Sequence, residues 1–173
     1  MLSQKQKEWV DHLSNDSKVK IVPFDPSSRE KFEKIKIIIQ SKLGKETKVE
    51  HRGASSFGIS GQDEIDVYIP VPPSLFNNYV FPLTELFGKP RSSYPLERAR
   101  FVASESGKHA DIFLVNKESE SYLDGLKFEN YLRTHPEILE EYRLLKESGN
   151  GISTRDYYRR KIEFINFVIQ STV

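Results

Sequence analysis

Residues 51 to 69, HRGASSFGISGQDEIDVYI, place a loop of small residues directly before acidic residues at alternate positions. That is the layout of a site for metal and phosphate. A strand turns every second side chain to one face, so Glu64, Asp66 and Tyr68 are expected to point together while Ile65, Val67 and Ile69 pack into a core. Two carboxylates then share one rim, where they suit a divalent cation such as Mg²⁺ held between their oxygens and those of a phosphate. Asp66 is the central candidate and Glu64 its partner. Asp111, on a later strand able to face the same rim, is a third acid. Upstream, Gly53, Ala54, Ser55 and Ser56 carry so little bulk that their backbone N–H groups are able to approach an anion such as a triphosphate. His51 precedes this loop, placed either to bond a phosphate, to orient Ser55 or Asp66, or to pin the loop backbone. His109 shares a face with Asp111, but a single histidine on a strand is more often a packing or surface residue.

These residues need a folded frame, and the composition supplies one. A chain of 173 residues with 37% hydrophobic and 29% charged residues has the make-up of a globular protein with one core as the default. A formal net charge of +1 gives no global field for nucleic acid or anionic membrane, so phosphate binding must come from a local cluster. The absence of cysteine removes disulfides and thiolate chemistry and is compatible with a cytoplasmic address. The first residues lack a signal-type apolar core, and no apolar run approaches the roughly 20 residues needed to span a bilayer, so a soluble intracellular protein with no membrane partner is expected.

Along the chain, Trp9, Val10 and Leu13 suggest a short peripheral helix over the first fourteen or so residues, and residues 1–18 are expected to form an N-terminal extension to a domain of 19–173. Val19 to Val22 suggests a brief strand. Ser27 and Glu30 have capping-box spacing, and Phe32, Ile35, Ile39 and Leu43 then form a helical stripe that Gly44 ends. Strands are expected at about 48–52 and 64–71, with Pro72 and Pro73 closing the second. Residues 74 to 87 suit a helix that Pro82 should break or kink. Strands at 98–102 and 109–115 join through a hairpin turn near Ser106, Gly107 and Lys108. Further on, Thr134 and Glu137 repeat the capping-box spacing before a helix with Ile138, Tyr142 and Leu145 buried, stopped by residues 149–151. A last helix from about Thr154 should bury Tyr158, Ile162, Ile165 and Ile169. The class is α+β: a mixed sheet flanked by helices, with a helical C-terminal segment.

Two blocks resemble the GrpB family of small proteins, placed in the nucleotidyltransferase superfamily of polymerase-beta type. His51-Arg52-Gly53-Ala54-Ser55-Ser56 followed by Ile65-Asp66-Val67 is similar to the family's H-x-G-S-T-S and I-D-h motif. Phe128 to Glu137 and Glu141 to Lys146 are similar to F-R-D-Y-L-R-x-H-P-E and E-Y-x-x-L-K. Tyr157, Lys161, Phe164 and Ile165 resemble the Y-x-x-x-K-x-x-F-I ending, and Val19-Lys20-Ile21 with Phe24-Asp25-Pro26 resembles the V-x-h-x-x-[YF]-D-P start. The resemblance implies a nucleotidyltransferase-like sheet whose glycine–serine loop and acidic strand form a nucleotide and metal site, with the superfamily's acidic pair at Glu64 and Asp66 or, in a register shifted by two, at Asp66 and Tyr68. One departure stands out: Ala54 replaces the serine that follows the glycine in the family, so one hydroxyl donor is lost.

The resulting expectation is Mg²⁺ on Asp66, Glu64 and Asp111, and a nucleoside triphosphate or other phosphate-bearing small molecule against His51, Gly53, Ser55 and Ser56. Lys146 and Lys161, at family positions, are candidates to neutralise it, as is Arg52. Lys89, Arg91, Arg98 and Arg100 make a local basic patch, usually a solvated surface. No Walker loop, HExxH or GxSxG motif occurs, and the serines lack a base beyond His51. Three functions compete: nucleotidyl transfer to an unknown acceptor, a catalytically degenerate module that binds a nucleotide, phosphate ligand or protein partner, and an adaptor using the C-terminal aromatic helices.

Overall fold

Ile65, Val67, Ile69 and Val71 form the strand that their spacing predicts, each at most 3% exposed. They belong to β2 (Glu64–Val71), whose burial alternates along its whole length. The computed structural model describes residues 1–171, so the last two of the expected 19–173 range lie outside the described residues. Its backbone gathers into two units, one of Phe24–Ile59 and Asp63–Leu123, the other of Met1–Pro23, Ser60–Gln62 and the chain from Asp124 onward.

The first unit carries the sheet. Its strands β1 (Glu50–Arg52), β2, β3 (Ser92–Tyr94), β4 (Arg98–Glu105) and β5 (Lys108–Asn116) lie in the order β1-β2-β5-β4-β3. β2 and β5 run parallel, and the other pairs of these strands are antiparallel. The β4–β5 hairpin closes through Ser106 and Gly107, both at positive φ, which is the signature of a type I′ turn. One sheet face is apolar and packs with Phe32, Ile35 and Ile39 of α2 (Ser28–Leu43) and Phe76 and Leu83 of α4 (Phe76–Phe87). A single turn, α3 (Gly53–Ser56), follows β1 where a loop is expected.

The second unit is helical: α1 (Gln4–Asp11), most of α5 (Glu120–Thr134), α6 (Pro136–Ser148) and α7 (Thr154–Gln170). Phe128, Tyr142 and Phe164 form its aromatic centre, with ring centroids 5.2 to 6.4 Å apart. Trp9 meets Tyr158 edge-on at 5.4 Å.

Several local expectations are corrected. Val19 to Val22 makes no strand; only single bridges, Lys18 with Ser153 and Val22 with Gly61, form there, because Pro23 follows and each neighbour offers one pairing residue. Ser27 is no capping box: its backbone is already helical and its hydroxyl donates to Asp25 Oδ1 at 2.6 Å. Thr134 closes α5 instead of opening α6, since its hydroxyl donates back to the Asn130 and Tyr131 carbonyls. The working N-cap in this region is Ser153, which accepts the Asp156 N–H. Pro82 does not break α4, which continues to Phe87 with the next residue, Leu83, fully buried in the core. In α7 the deepest residues are Tyr157 and Val168, with Tyr158, Ile162, Ile165 and Ile169 half-buried, so the packed stripe is rotated by about one residue. In α6, Tyr142 is joined in burial by Lys146.

Candidate functional site

The polar face of the sheet is built by strand parity and register. Opposite Ile65 and Val67, β2 presents Glu64, Asp66 and Tyr68, all half-buried. The parallel register sets Glu64 beside His109, Asp66 beside Asp111 and Tyr68 beside Phe113. Donor atoms of Glu64, His109 and Asp111 all lie within 4.8 Å of one another. His109 Nε2 is 3.2 Å from Asp111 Oδ1, and Arg100 of β4 donates to the same oxygen at 3.0 Å. Asp111 is only 6% exposed, whereas the His109 side chain is 45% exposed, so the cluster runs from an ordered, shielded carboxylate to an accessible imidazole.

Asp66 stands differently. Gly53 has φ +70°, and a Cβ added there would lie 2.0 Å from Asp66 Oδ2. The missing side chain of Gly53 therefore makes room for this carboxylate. Across β1, Arg52 pairs with Asp66; it is 5% exposed and its guanidinium lies 4.6 Å from the Tyr68 ring and 5.4 Å from that of Tyr122. The Tyr122 hydroxyl in turn reaches the Glu50 carboxylate at 3.1 Å.

His51 pairs with Val67 in register and so turns to the apolar face, where its ring stacks on Phe32 at 4.7 Å. Its Nε2 is 2.9 Å from Ser55 Oγ, while Ser56 Oγ donates to the Gly53 carbonyl at 2.7 Å. Both hydroxyls thus hold the α3 turn. The ends of β2 and β5 are tied by Lys108, 7% exposed, whose Nζ reaches Asp63 at 2.7 Å and Asp25 at 3.4 Å. The Ser27 hydroxyl, then Lys31 and the Ser27 N–H, hold the Asp25 carboxyl well below the usual carboxylate range. This network fixes the strand starts from which Glu64 and His109 project.

The structure therefore brings Glu64 and Asp111 together, seats Asp66 against Gly53, and groups His51 with Ser55. Lys146 and Lys161 belong to the helical unit. Lys146 is 4% exposed, its Nζ donating to the Tyr157 hydroxyl at 3.2 Å and lying 5.4 Å from the Tyr142 ring. It is an interior side chain. Lys161 lies 5.3 Å from the Tyr158 ring. Residue order places His109 on the face of Asp111, and the two-residue turn at Ser106–Gly107 sets Arg100 one diagonal from Asp111, so the meeting of both side chains with this carboxylate follows from parity and turn length.

Among the described residues, no helix is long and apolar enough to cross a membrane. A search of curated proteins finds no matching relative. Among solved structures, the chain is similar to the conserved protein GrpB from Enterococcus faecalis, at 20% identity over 87% of this chain and 95% of that one, with a TM-score of 0.68. At that identity the likeness is one of fold. The model of the GrpB protein family matches residues 18–171, nearly the whole of the sequence, and the chain belongs to the GrpB family.

Proposed function

We propose that the chain is a nucleotidyltransferase-like protein that binds a nucleoside triphosphate together with a divalent cation on the polar face of its sheet. The observation that carries this reading is the convergence of Glu64, His109 and Asp111 within 4.8 Å, beside Asp66 in direct register with Asp111. The donor set fits a cation, because two carboxylates offer hard oxygens and come from adjacent, hydrogen-bonded strands. Such a divalent ion would neutralise charge building on the phosphoryl oxygens during transfer. Glu64 and Asp111 would hold it, Arg100 would keep Asp111 oriented, and Asp66 would face the phosphate end next to Gly53.

Calorimetric titration with ATP and its non-hydrolysable analogue, with and without Mg²⁺, tests the proposal on wild type, Asp66→Asn and Glu64→Gln/Asp111→Asn. Cation-dependent binding that weakens at least about tenfold in the variants is expected, since each removes a charged ligand or neighbour. Equal binding by all three proteins, or none by wild type, refutes it. A binding module without turnover is the second reading. It is favoured by Ala54 and by the commitment of the Ser55 and Ser56 hydroxyls to His51 and the Gly53 carbonyl. Release of pyrophosphate from labelled triphosphates would eliminate that reading.

A further inference from the structure

The cation site carries one feature that an oxygen-only site lacks. His109 Nε2 is 3.2 Å from Asp111 Oδ1, and both atoms lie within 4.8 Å of a Glu64 oxygen. Around an ion with bonds of about 2.1 Å, neighbouring ligand atoms are about 3 Å apart and opposite ones about 4.2 Å. The imidazole and the Asp111 oxygen are at neighbouring-ligand spacing, and a Glu64 oxygen lies within 4.8 Å of both. The three side chains project from paired strands, with Glu64 directly beside His109, so little backbone freedom is lost on closing around an ion. Arg100 does not compete for the whole carboxylate. It occupies one lone-pair direction on Asp111, and ligating carboxylates are commonly oriented by such an outer partner. Imidazole suits the later first-row ions such as cobalt, nickel and zinc, whereas magnesium and manganese prefer oxygen and magnesium sheds water reluctantly.

We infer that His109 is a metal ligand alongside Glu64 and Asp111, and that the site selects a later transition ion of the Co²⁺ or Zn²⁺ class over Mg²⁺. This rests on the proposed function for the use of the site, and its test is independent of nucleotide. Co²⁺ is titrated without nucleotide into wild type, His109→Ala and Glu64→Gln, following visible absorption and heat, with Mg²⁺ as competitor. Co²⁺ should bind wild type at least about tenfold more tightly than Mg²⁺, and His109→Ala should lose about tenfold or more in Co²⁺ affinity with less than a twofold change for Mg²⁺. Because the His109 side chain is 45% exposed, the variant is expected to fold, as far-ultraviolet circular dichroism will check. As a second readout, substoichiometric Mn²⁺ should broaden the His109 ring-proton resonances before those of His12, His51 and His135. Equal Co²⁺ affinity in wild type and His109→Ala, no preference over Mg²⁺, or no Co²⁺ binding overturns the inference. If His109-dependent Co²⁺ binding appears but no nucleotide binds, the inference stands and the nucleotide function falls. If Mg²⁺-dependent nucleotide binding survives His109→Ala with Co²⁺ affinity unchanged, the reverse holds.

Discussion

Replacing Gly53 by alanine should displace the carboxylate on which the candidate site depends, and the structure separates two costs. The first is conformational: Gly53 sits at φ +70°, where an L side chain costs about 1–2 kcal/mol. The second is steric: the new Cβ would lie 2.0 Å from Asp66 Oδ2 and 3.0 Å from its Cγ, so the carboxylate must move by more than an ångström. Overpacking of that kind costs about 1–3 kcal/mol. The sum, about 2–5 kcal/mol, is a large part of the stability of an ordinary domain. Gly107 supplies the control, since its φ is +75° but nothing lies within 4 Å of an added Cβ. Gly107→Ala should therefore show the conformational cost alone. Urea unfolding followed by circular dichroism should give a midpoint about 0.5–1.5 M lower for Gly53→Ala than for Gly107→Ala, from a steric cost of about 1–3 kcal/mol and a slope of about 2 kcal/mol/M. In an Asp66→Ala background most of the steric part should disappear, since only the Cβ at 3.3 Å remains, and the costs of the two glycine substitutions should converge. If Gly53→Ala is no worse than Gly107→Ala, or if its cost is unchanged without Asp66, the packing of Asp66 on Gly53 is not what makes this glycine necessary.

Other outcomes follow from the same geometry. The Asp25 carboxyl is depressed below its ordinary value of 3.8, so its stabilising effect is complete above that pH and is lost as pH falls toward the lower folded value. Asp25→Asn should lower stability at neutral pH and flatten the loss of stability below about pH 4; an unchanged acid limb in pH-dependent unfolding would contradict this. Tyr157→Phe removes the hydroxyl that accepts from buried Lys146 and should destabilise the protein by about 1–2 kcal/mol in urea unfolding, a cost that would be absent if the bond were idle. Gly149→Ala should cost about 1–3 kcal/mol in urea unfolding although its φ is not positive, because the added Cβ would meet Tyr157 Cδ2 at 2.4 Å; removal of the Tyr157 ring by Tyr157→Ala should reduce that penalty, leaving the 3.1 Å approach to the Lys146 carbonyl.

Much of the local architecture is legible from residue order. The alternation of Ile65, Val67, Ile69 and Val71 against Glu64, Asp66 and Tyr68 specifies both the strand and its polar face, since side-chain direction in a strand has a period of two. Phe32, Ile35 and Ile39 specify the buried stripe of α2 for the corresponding reason in a helix. Caps are less legible. Ser27 and Thr134 have the residue type and spacing of N-caps, yet each hydroxyl finds a nearer acceptor, in the Asp25 carboxylate and in the carbonyls of the preceding turn. The burial of Lys146 is likewise hidden in its charge, although its spacing from Tyr142 puts both on one helical stripe.

The candidate site divides along the same line. Sequence alone determined that Glu64 and Asp66 share a face, that His109 and Asp111 share another, and that small residues precede the acidic strand. It also carried enough motif order to indicate the GrpB family. Only the tertiary structure decided which of these groups meet. That depends on the parallel pairing of β2 with β5, whose partners are some 45 positions apart in the chain, and a shift of a single residue would have turned His109 and Asp111 away. Register is a long-range choice made by core packing and by ties such as Lys108 to Asp63, so local spacing does not encode it. The pairing gathers Glu64, His109 and Asp111 into one cluster and leaves Asp66 packed against Gly53, because two strands in contact hold side chains together more strictly than neighbouring positions on one strand.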